Sequence, residues 1–279
     1  MLESSLRIFS RIFGKPPGLE RVIRYLSPPG QLQNCAYYKE FPDGYSFEVD
    51  PATMIGWNIH FFLTYESEVR EQIKAALQPG RICLDIGANV GWHTLLMASL
   101  VGPAGRVFAF EPNASTRERL TKVIANNGFS QVTIREEALS DQTGFGWFQA
   151  PCAGTLWDGT GRLAMKEEAD CKHVSCATVD SVVRSSGLDR LDLIKIDVEG
   201  WELPVLRGSL HSIKRFRPRI IFEFDPHYIT RCGGTSAEIL ELFQSLDYEL
   251  FVLRLRHAPS KVTKSDPKAG NLLGLPSRR

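Results

Sequence analysis

The sequence predicts an α/β protein built on a doubly wound sheet of parallel strands. Three observations lead to this class. The apolar runs RICLDI at residues 81–86 and LDLIKI at residues 191–196 have the length and β-branched content of buried parallel strands. The segment WHTLLMASLVG at residues 92–102 follows the first run and has the pattern of an amphipathic helix. Glycine or acidic residues stand where each strand ends, and ligands bind at that edge of an open α/β sheet.

Composition limits the size and the class of the protein. With 279 residues, of which 43% are hydrophobic, the chain can bury one large core, and one main domain is expected. The 33 basic and 32 acidic residues give a net charge of +1, which predicts no nucleic-acid partner. No apolar run approaches the roughly 20 residues of a membrane-spanning helix and no signal peptide is recognised, so a cytoplasmic location is expected. The six scattered cysteines lack a C-x-x-C pair and indicate reduced thiols rather than zinc.

The turn after the first strand predicts a cofactor site. Gly87 and Gly91 bracket Ala88 and Asn89, and glycine there permits a positive φ and the close approach of a ligand. Asp85 precedes the turn, which gives the spacing D-x-G-x-x-x-G in place of the dinucleotide pattern G-x-G-x-x-G. An acid at this point repels phosphate and suits a cation, so S-adenosyl-L-methionine, with its sulfonium and ammonium groups, is favoured over NAD. The alternative is that both glycines only permit close packing of strand and helix.

The next two strands supply candidates for the nucleoside end of the cofactor. The strand GRVFAFEP brings Glu111 to its tip, 24 residues beyond the first glycine of the turn, where an acid binds ribose hydroxyls in doubly wound sheets. The alternative for Glu111 is an acid at the start of the next helix. The third strand, QVTIREEAL, ends at Ala138 and Leu139, whose backbone groups are expected to contact the adenine base, with Glu137 or Asp141 nearby.

A central strand ends in two acids within LIKIDVEGWELPVLRG, residues 193–208. Asp197 and Glu199 lie where open sheets place chemistry, and they are the first catalytic candidates. Their alternative role is that of caps or acids near a helix N-terminus. His227, just past the tip of the strand PRIIFEF, is a candidate general base near neutral pH. The alternative for a lone histidine in a loop is simple exposure to solvent.

Several further elements complete the expected order. Residues 37–50 alternate and contain an Asp-Gly turn, which predicts a hairpin, and residues 60–77 predict one helix. Residues 142–180 are expected to form a β insertion with a surface loop that borders the substrate or stays uninvolved. A capped amphipathic helix at residues 235–248 and strands at residues 248–255 and 270–276 follow.

Six segments together resemble the FkbM family of S-adenosylmethionine-dependent methyltransferases. They match in order and spacing: LDIGANVGWHT, FEPN, EALSD, LIKIDVEGWELPVLRG, IIFEF and GNLLGLP. The resemblance implies a Rossmann-like methyltransferase fold with a seven-stranded, mostly parallel sheet, an antiparallel last strand and helices on both faces. It also implies O-methylation of hydroxyls in sugars, polyketides and other small molecules. One departure is Gly274, where the family usually has a large aromatic residue.

The resemblance implies roles for individual residues. It places active-site duty on Asp197 and Glu199. It places cofactor binding on Asp85, Gly87, Asn89, Gly91 and Glu111, to which the residue pattern adds Ala88, Ala138 and Asp197.

The resemblance covers residues 60–276, the expected methyltransferase domain. Residues 1–59 are expected to form a helical and hairpin extension, and residues 277–279 a tail. Residues 1–26 are basic and amphipathic. They are expected to pack on their own domain, with peripheral contact to a membrane surface or a partner as the alternative.

In the expected reaction, a hydroxyl group of the acceptor attacks the sulfonium methyl group in line. The acceptor is a small molecule or a carbohydrate. Asp197 is the first candidate for the general base and His227 the second. A divalent ion held by Asp197, Glu199 and Glu223 is an alternative that the spacing does not demand, so no metal is predicted. Two rival functions are an NAD-dependent oxidoreductase, which needs glycine where Asn89 stands, and a non-catalytic cofactor-binding scaffold.

Overall fold

A computed structural model gives the structure of the protein. It describes residues 6–7, 18–30, 32, 35–150, 161–167, 170–263 and 267–277. These residues form two compact units, one ending at Ser67 and the other beginning at Glu68. The predicted domain boundary at residue 60 stays a prediction, and most of the predicted amphipathic segment at residues 1–26 lies outside the described residues.

The first unit contains a small core and the predicted hairpin. Its elements are α1 (Leu19–Leu26), β1 (Tyr37–Phe41), β2 (Tyr45–Val49) and α2 (Met54–Phe62). β1 and β2 pair antiparallel, which confirms the hairpin. The fully buried Trp57 packs with Ile23 and Phe61, and its indole N–H donates to the carbonyl of Ser27 at 2.8 Å.

The single helix predicted for residues 60–77 is wrong. α2 ends at Phe62, and a separate helix, α3, runs over Ser67–Ala76. The break occurs because Leu63 adopts a left-handed conformation with φ 63°, and its N–H donates to the carbonyl of Ile59. Glu66 also has a positive φ and precedes α3, whereas Glu68 lies in the first turn of α3.

The second unit alternates strands and helices as the sequence predicted. After α3 its elements in chain order are β3 (Ile82–Ile86), α4 (Trp92–Val101), β4 (Arg106–Phe110), α5 (Ala114–Asn126), β5 (Val132–Arg135), β6 (Ala138–Leu139), β7 (Gly144–Gln149), β8 (Arg162–Ala164), β9 (Cys171–Ala177), α6 (Val179–Ser185), β10 (Leu193–Ile196), α7 (Glu202–Arg207), α8 (Leu210–Phe216), β11 (Arg219–Phe224), α9 (Pro226–Arg231), α10 (Ser236–Ser245), β12 (Tyr248–Arg254), β13 (His257–Lys261) and β14 (Gly270–Pro276).

The main sheet has the predicted Rossmann-like form with one more strand than expected. Its order is β13-β12-β14-β11-β10-β3-β4-β5, and the five strands from β11 to β5 run parallel. β14 is antiparallel to both of its neighbours, which confirms the antiparallel last strand. The extra strand, β13, forms a hairpin with β12 at the sheet edge. Its sequence HAPSK has no apolar alternation, because its residues are mostly exposed, and the pattern therefore did not predict it.

The insertion forms a separate four-stranded sheet of order β6-β9-β7-β8. β7 and β9 pair antiparallel over their length, which confirms the predicted β insertion. The third strand predicted to reach Leu139 is shorter, because Ala138 and Leu139 leave the main sheet and pair with β9. Residues 151–160 and 168–169 of the insertion lie outside the described residues.

The register of the central strands sets the position of the candidate site. Asp85 of β3 lies beside Lys195 of β10 and beside Ala109 of β4. Because parallel strands end at one edge of the sheet, the segments that follow β3, β4, β10 and β11 converge there. In the part of the chain that is described, no helix is both long and apolar enough to cross a membrane.

Gly274 has a packing reason in this structure. A Cβ atom at this position of β14 would lie 2.7 Å from Cε1 of Phe243, a ring of α10 that is 1% exposed. The Phe243 ring therefore occupies the space beside residue 274 of β14. Residue 274 is the position at which the sequence departs from the family pattern.

We expect Gly274→Ala to lower the free energy of unfolding by about 1–3 kcal/mol, because the new methyl group overpacks the Phe243 ring. Chemical denaturation would measure this change. Phe243→Leu in the same chain should relieve part of it, so additive losses in the double variant would contradict the proposed contact.

Candidate active site at the carboxyl edge of the sheet

The glycine turn after β3 is held tightly by its surroundings. The N–H groups of Gly87 and Ala88 donate to the carbonyl of Phe110 at 3.1 and 2.9 Å. Gly87 has φ +77°, and a Cβ there would lie 1.8 Å from the carbonyl oxygen of Asp197. At Gly91, with φ +91°, a Cβ would lie 2.7 Å from Leu120 of α5. Close packing, the alternative left open by the sequence, is therefore present at both glycines, and their part in ligand binding stays a prediction.

Glu111 joins the end of β4 to this turn. Its side chain is 4% exposed, and its two carboxylate oxygens accept from the N–H groups of Asn89 at 3.0 Å and Asn113 at 2.8 Å. Burial raises the pKa of Glu111 to about 7, against the opposing effect of these two hydrogen bonds. The cap of α5 is Asn113, whose side chain accepts from the N–H of Ser115. The carboxylate of Glu111 thus faces the glycine turn as well as the helix start.

Lys195 is a functional candidate that sequence reasoning missed. Its ammonium group donates to Asp197 at 3.1 Å and to the carbonyl of Gly87 at 3.2 Å, and it lies 3.5 Å from Asp85. Asp85 is fully buried and also accepts from the hydroxyl of Thr94 at 2.6 Å. The sequence contained a signal for this contact, which is a lysine inside an apolar central strand. A buried ammonium group requires carboxylate partners.

The loop after β10 depends on a second missed residue, Glu202. Glu199 and Gly200 have φ values of 56° and 103°, so the chain turns sharply there. Oε1 of Glu202 accepts from the N–H groups of Val198 and Gly200, both at 3.2 Å. Burial raises the pKa of Glu202 to about 7. Oε1 of Glu202 thus binds two N–H groups of this turn, and the alternative role of Glu199 as a cap or an acid near the helix start stays a prediction.

Three acids meet at the tips of β10 and β11. Carboxylate oxygens of Asp197, Glu199 and Glu223 all lie within 4.8 Å of one another, and the three residues are partly buried. Their combined negative charge disfavours a phosphate and suits a cation or hydroxyl donors. The spacing is compatible with a divalent ion, and the prediction of no metal stays a prediction.

His227 and Ala138 are two further predicted site residues whose surroundings the structure describes. His227 lies in the first turn of α9, where its N–H donates to Asp225 at 2.8 Å. Its side chain is exposed and its ring lies 5.8 Å from that of Tyr228, which matches the exposed alternative. Ala138 is 5% exposed in β6, and the side chain of Glu137 is engaged with Arg135. Neither arrangement tests the predicted base or adenine roles.

Comparison with known proteins identifies the family. The family model described as Methyltransferase FkbM domain matches residues 85–250. The chain belongs to the FkbM methyltransferase family. The matched region begins at Asp85 and contains the glycine turn, Glu111 and the acids after β10. The protein is therefore a methyltransferase, as the sequence predicted.

Known relatives of this FkbM methyltransferase include one enzyme named for a hexuronic acid and one named for 2-O-methylation. Hexuronic acid methyltransferase AglP of Haloferax volcanii is 27% identical over 69% of this chain and 78% of its own length. The 2-O-methyltransferase NoeI of Sinorhizobium fredii is 27% identical over 55% of this chain and 68% of its own. Among solved structures, methyltransferase FkbM from Methylobacillus flagellatus is 16% identical with a TM-score of 0.45, covering 78% of this chain and 52% of that one.

The residues of this FkbM methyltransferase fit S-adenosylmethionine. Each carboxylate oxygen of Glu111 accepts one N–H and has a second lone pair for a hydroxyl group, the pairing that a ribose needs. Asp85 and Asp197 place negative charge beside the turn, and Lys195 balances part of it. A ligand with sulfonium and ammonium groups is favoured there over one with a pyrophosphate.

Replacing Lys195 tests the charge balance. We expect Lys195→Met to lower the free energy of unfolding by about 3–5 kcal/mol, because Asp85 stays buried without its cation. Urea denaturation would measure the loss, with Lys172→Met at an exposed position of β9 as the matched control. Adding Asp85→Asn should restore part of the loss. Equal urea midpoints of unfolding for Lys195→Met and the control would contradict the role of Lys195 as the cation that balances Asp85.

Glu202 predicts a pH dependence of stability. Its folded-state pKa of about 7 lies above the ordinary 4.5, so the folded chain binds this proton more tightly than the unfolded chain. The resulting stabilisation is complete below the ordinary pKa and is lost as pH rises through about 7. The stability of the wild type relative to Glu202→Gln should therefore fall by about 1–3 kcal/mol over that window. Urea unfolding at stepped pH measures it, and a pH-independent difference would refute the assignment.

Proposed function

We propose that this chain is an S-adenosylmethionine-dependent O-methyltransferase that methylates a hydroxyl group of a carbohydrate or another small molecule. The observation that carries the proposal is the meeting of the glycine turn, Glu111 and Asp197 at one edge of the sheet. Asn89 of the turn donates to Glu111, and Lys195 joins the turn to Asp197. These groups suit a cofactor with ribose hydroxyls and positive charge.

In this proposal the chain's residues divide into cofactor and acceptor groups. Glu111 binds the ribose hydroxyls, and the backbone near Ala138 contacts the adenine base. Gly87 to Gly91 and Asp85 surround the methionine end. When bound, S-adenosylmethionine supplies a methyl group on a sulfonium, which leaves as a neutral thioether.

Asp197 orients the acceptor hydroxyl and takes its proton as the new oxygen–carbon bond forms. Charge is neutralised in this reaction, so alignment of the reactants in a dry pocket is the main requirement and the base adds a smaller factor. Glu199 helps to hold the acceptor, and His227 is the second candidate for the base. The Asp197 side chain is 33% exposed, which supports its role because an acceptor can reach the carboxylate.

The carbohydrate class is supported by the relatives. AglP is named for a hexuronic acid substrate and NoeI for 2-O-methylation. Incubation with methyl-deuterated S-adenosylmethionine and a panel of sugars, uronic acids and simple alcohols, followed by mass spectrometry, tests the proposal. We expect label in an ether on a sugar hydroxyl. Label only on carboxylates or amines, or no transfer at all, would contradict it.

Glu111→Gln should weaken binding of S-adenosylhomocysteine about tenfold, because the hydroxyl groups lose a charged acceptor. Since hydroxyl donors favour the carboxylate, wild-type affinity should also rise with pH up to about 7 and then level, whereas the variant stays flat. Calorimetry measures both effects. Glu118→Gln, on the exposed face of α5, is the control, and an unchanged dissociation constant in Glu111→Gln would remove the ribose role.

Asp197→Asn should keep S-adenosylhomocysteine binding and lower kcat by roughly 10²- to 10⁴-fold, because the amide cannot take the hydroxyl proton. Single-turnover methyl transfer measures the loss, with the exposed Asp189→Asn as control. Near-normal kcat in Asp197→Asn would move the base role to His227 or to none.

A further inference from the structure

A cavity of about 420 Å³ lies between the insertion sheet and the loop that carries the acids. Its walls come from the β6–β7 connection, from β7 and β8, from the first turn of α7 and from the segment after α9. Its volume is within the range of small-molecule sites. Asp141, which the sequence offered as one of two candidate neighbours of the adenine base, is the one lining residue in the described part of the chain that was named above for a cofactor role.

The lining of this cavity is amphipathic. Asp141, Gln142 and Thr143 border it with exposed polar side chains, and Arg207 borders it with a guanidinium that gives one N–H to Glu238 and has four others. The apolar part includes Trp201, whose indole N–H donates to Ser140 at 3.0 Å and so fixes the ring.

Met165 adds a large apolar side chain that is 65% exposed at the same cavity. Exposed apolar groups beside polar ones mark binding surfaces. A pyranose ring has this dual character, because its C–H faces are apolar and its edges carry hydroxyl groups. Both acceptors and donors are present for those hydroxyls, in the carboxylate of Asp141, the amide of Gln142 and the guanidinium of Arg207.

The cavity adjoins the loop that holds Asp197. Gly200 is part of its lining, and three peptide units separate the Cα atoms of Gly200 and Asp197, which are therefore no more than about 11 Å apart. Cys232, another lining residue, lies with its sulfur 4.0 Å from the carbonyl oxygen of Glu199. A molecule in the cavity is thus close to the acids of the candidate active site.

We propose that this cavity binds a sugar unit of the acceptor next to the unit that is methylated. The inference rests on the proposed function and extends it: the acceptor is an oligosaccharide or a glycoside of at least two sugar units. The insertion then selects the acceptor, while the edge of the main sheet performs the transfer.

Sugar binding to the 279-residue chain, saturated with S-adenosylhomocysteine, tests this inference. Saturation-transfer NMR would compare glucose with cellobiose and maltose. We expect the wild type to bind at least one disaccharide fivefold or more tightly than glucose. Asp141→Ala combined with Gln142→Ala should abolish that preference, whereas the exposed control pair Asp189→Ala and Gln244→Ala should keep it.

Equal affinity of the wild type for glucose and both disaccharides would overturn the inference, as would a preference that survives in the cavity variant. The proposed function fails on different observations, namely no binding of S-adenosylhomocysteine or no methyl transfer to any hydroxyl. A disaccharide preference that depends on Asp141 and Gln142 supports the cavity even if the transferred group or its target proves different.

Discussion

The ammonium group of Lys195 is the contact on which the candidate site depends. It lies between Asp85 and Asp197 and donates to the carbonyl of Gly87, so one cation joins two central strands and the glycine turn. Strand pairing places Lys195 directly beside Asp85, which makes the contact a consequence of register. Each buried charge needs the other, because an isolated ion in the interior costs several kcal/mol. The same ammonium group donates to the carboxylate of Asp197 at the strand tip.

The electrostatics around this contact connect the fold to methyl transfer. Glu111, Glu199 and Glu223 add further acidic side chains at the same edge of the sheet. Burial keeps the pKa of Glu111 near 7, and a ligand that donates hydroxyls would draw it to its charged form. A cofactor that carries positive charge and no phosphate matches such a site. Residues 85–250, which match the FkbM methyltransferase model, contain Asp85, Glu111, Lys195, Asp197, Glu199 and Glu223.

The sequence predicted the elements whose pattern is set by burial and missed those set by local backbone contacts. β3 and β10 are buried along their length, and their apolar runs were therefore recognisable. The left-handed Leu63 and the exposed strand β13 have no such pattern, because hydrogen bonds of the main chain decide them. In the site, the glycines and acids were predicted by spacing. The supporting contacts of Lys195 and Glu202 required three-dimensional neighbours that spacing does not supply.

An acidic edge of the sheet that disfavours phosphate should bind a cationic methyl donor and reject a dinucleotide. Calorimetric titration of the 279-residue chain with S-adenosylmethionine and, separately, with NAD distinguishes the two ligands. We expect one-to-one binding of S-adenosylmethionine and no heat of binding for NAD. Binding of NAD without binding of S-adenosylmethionine would show that the edge does not select a cationic methyl donor.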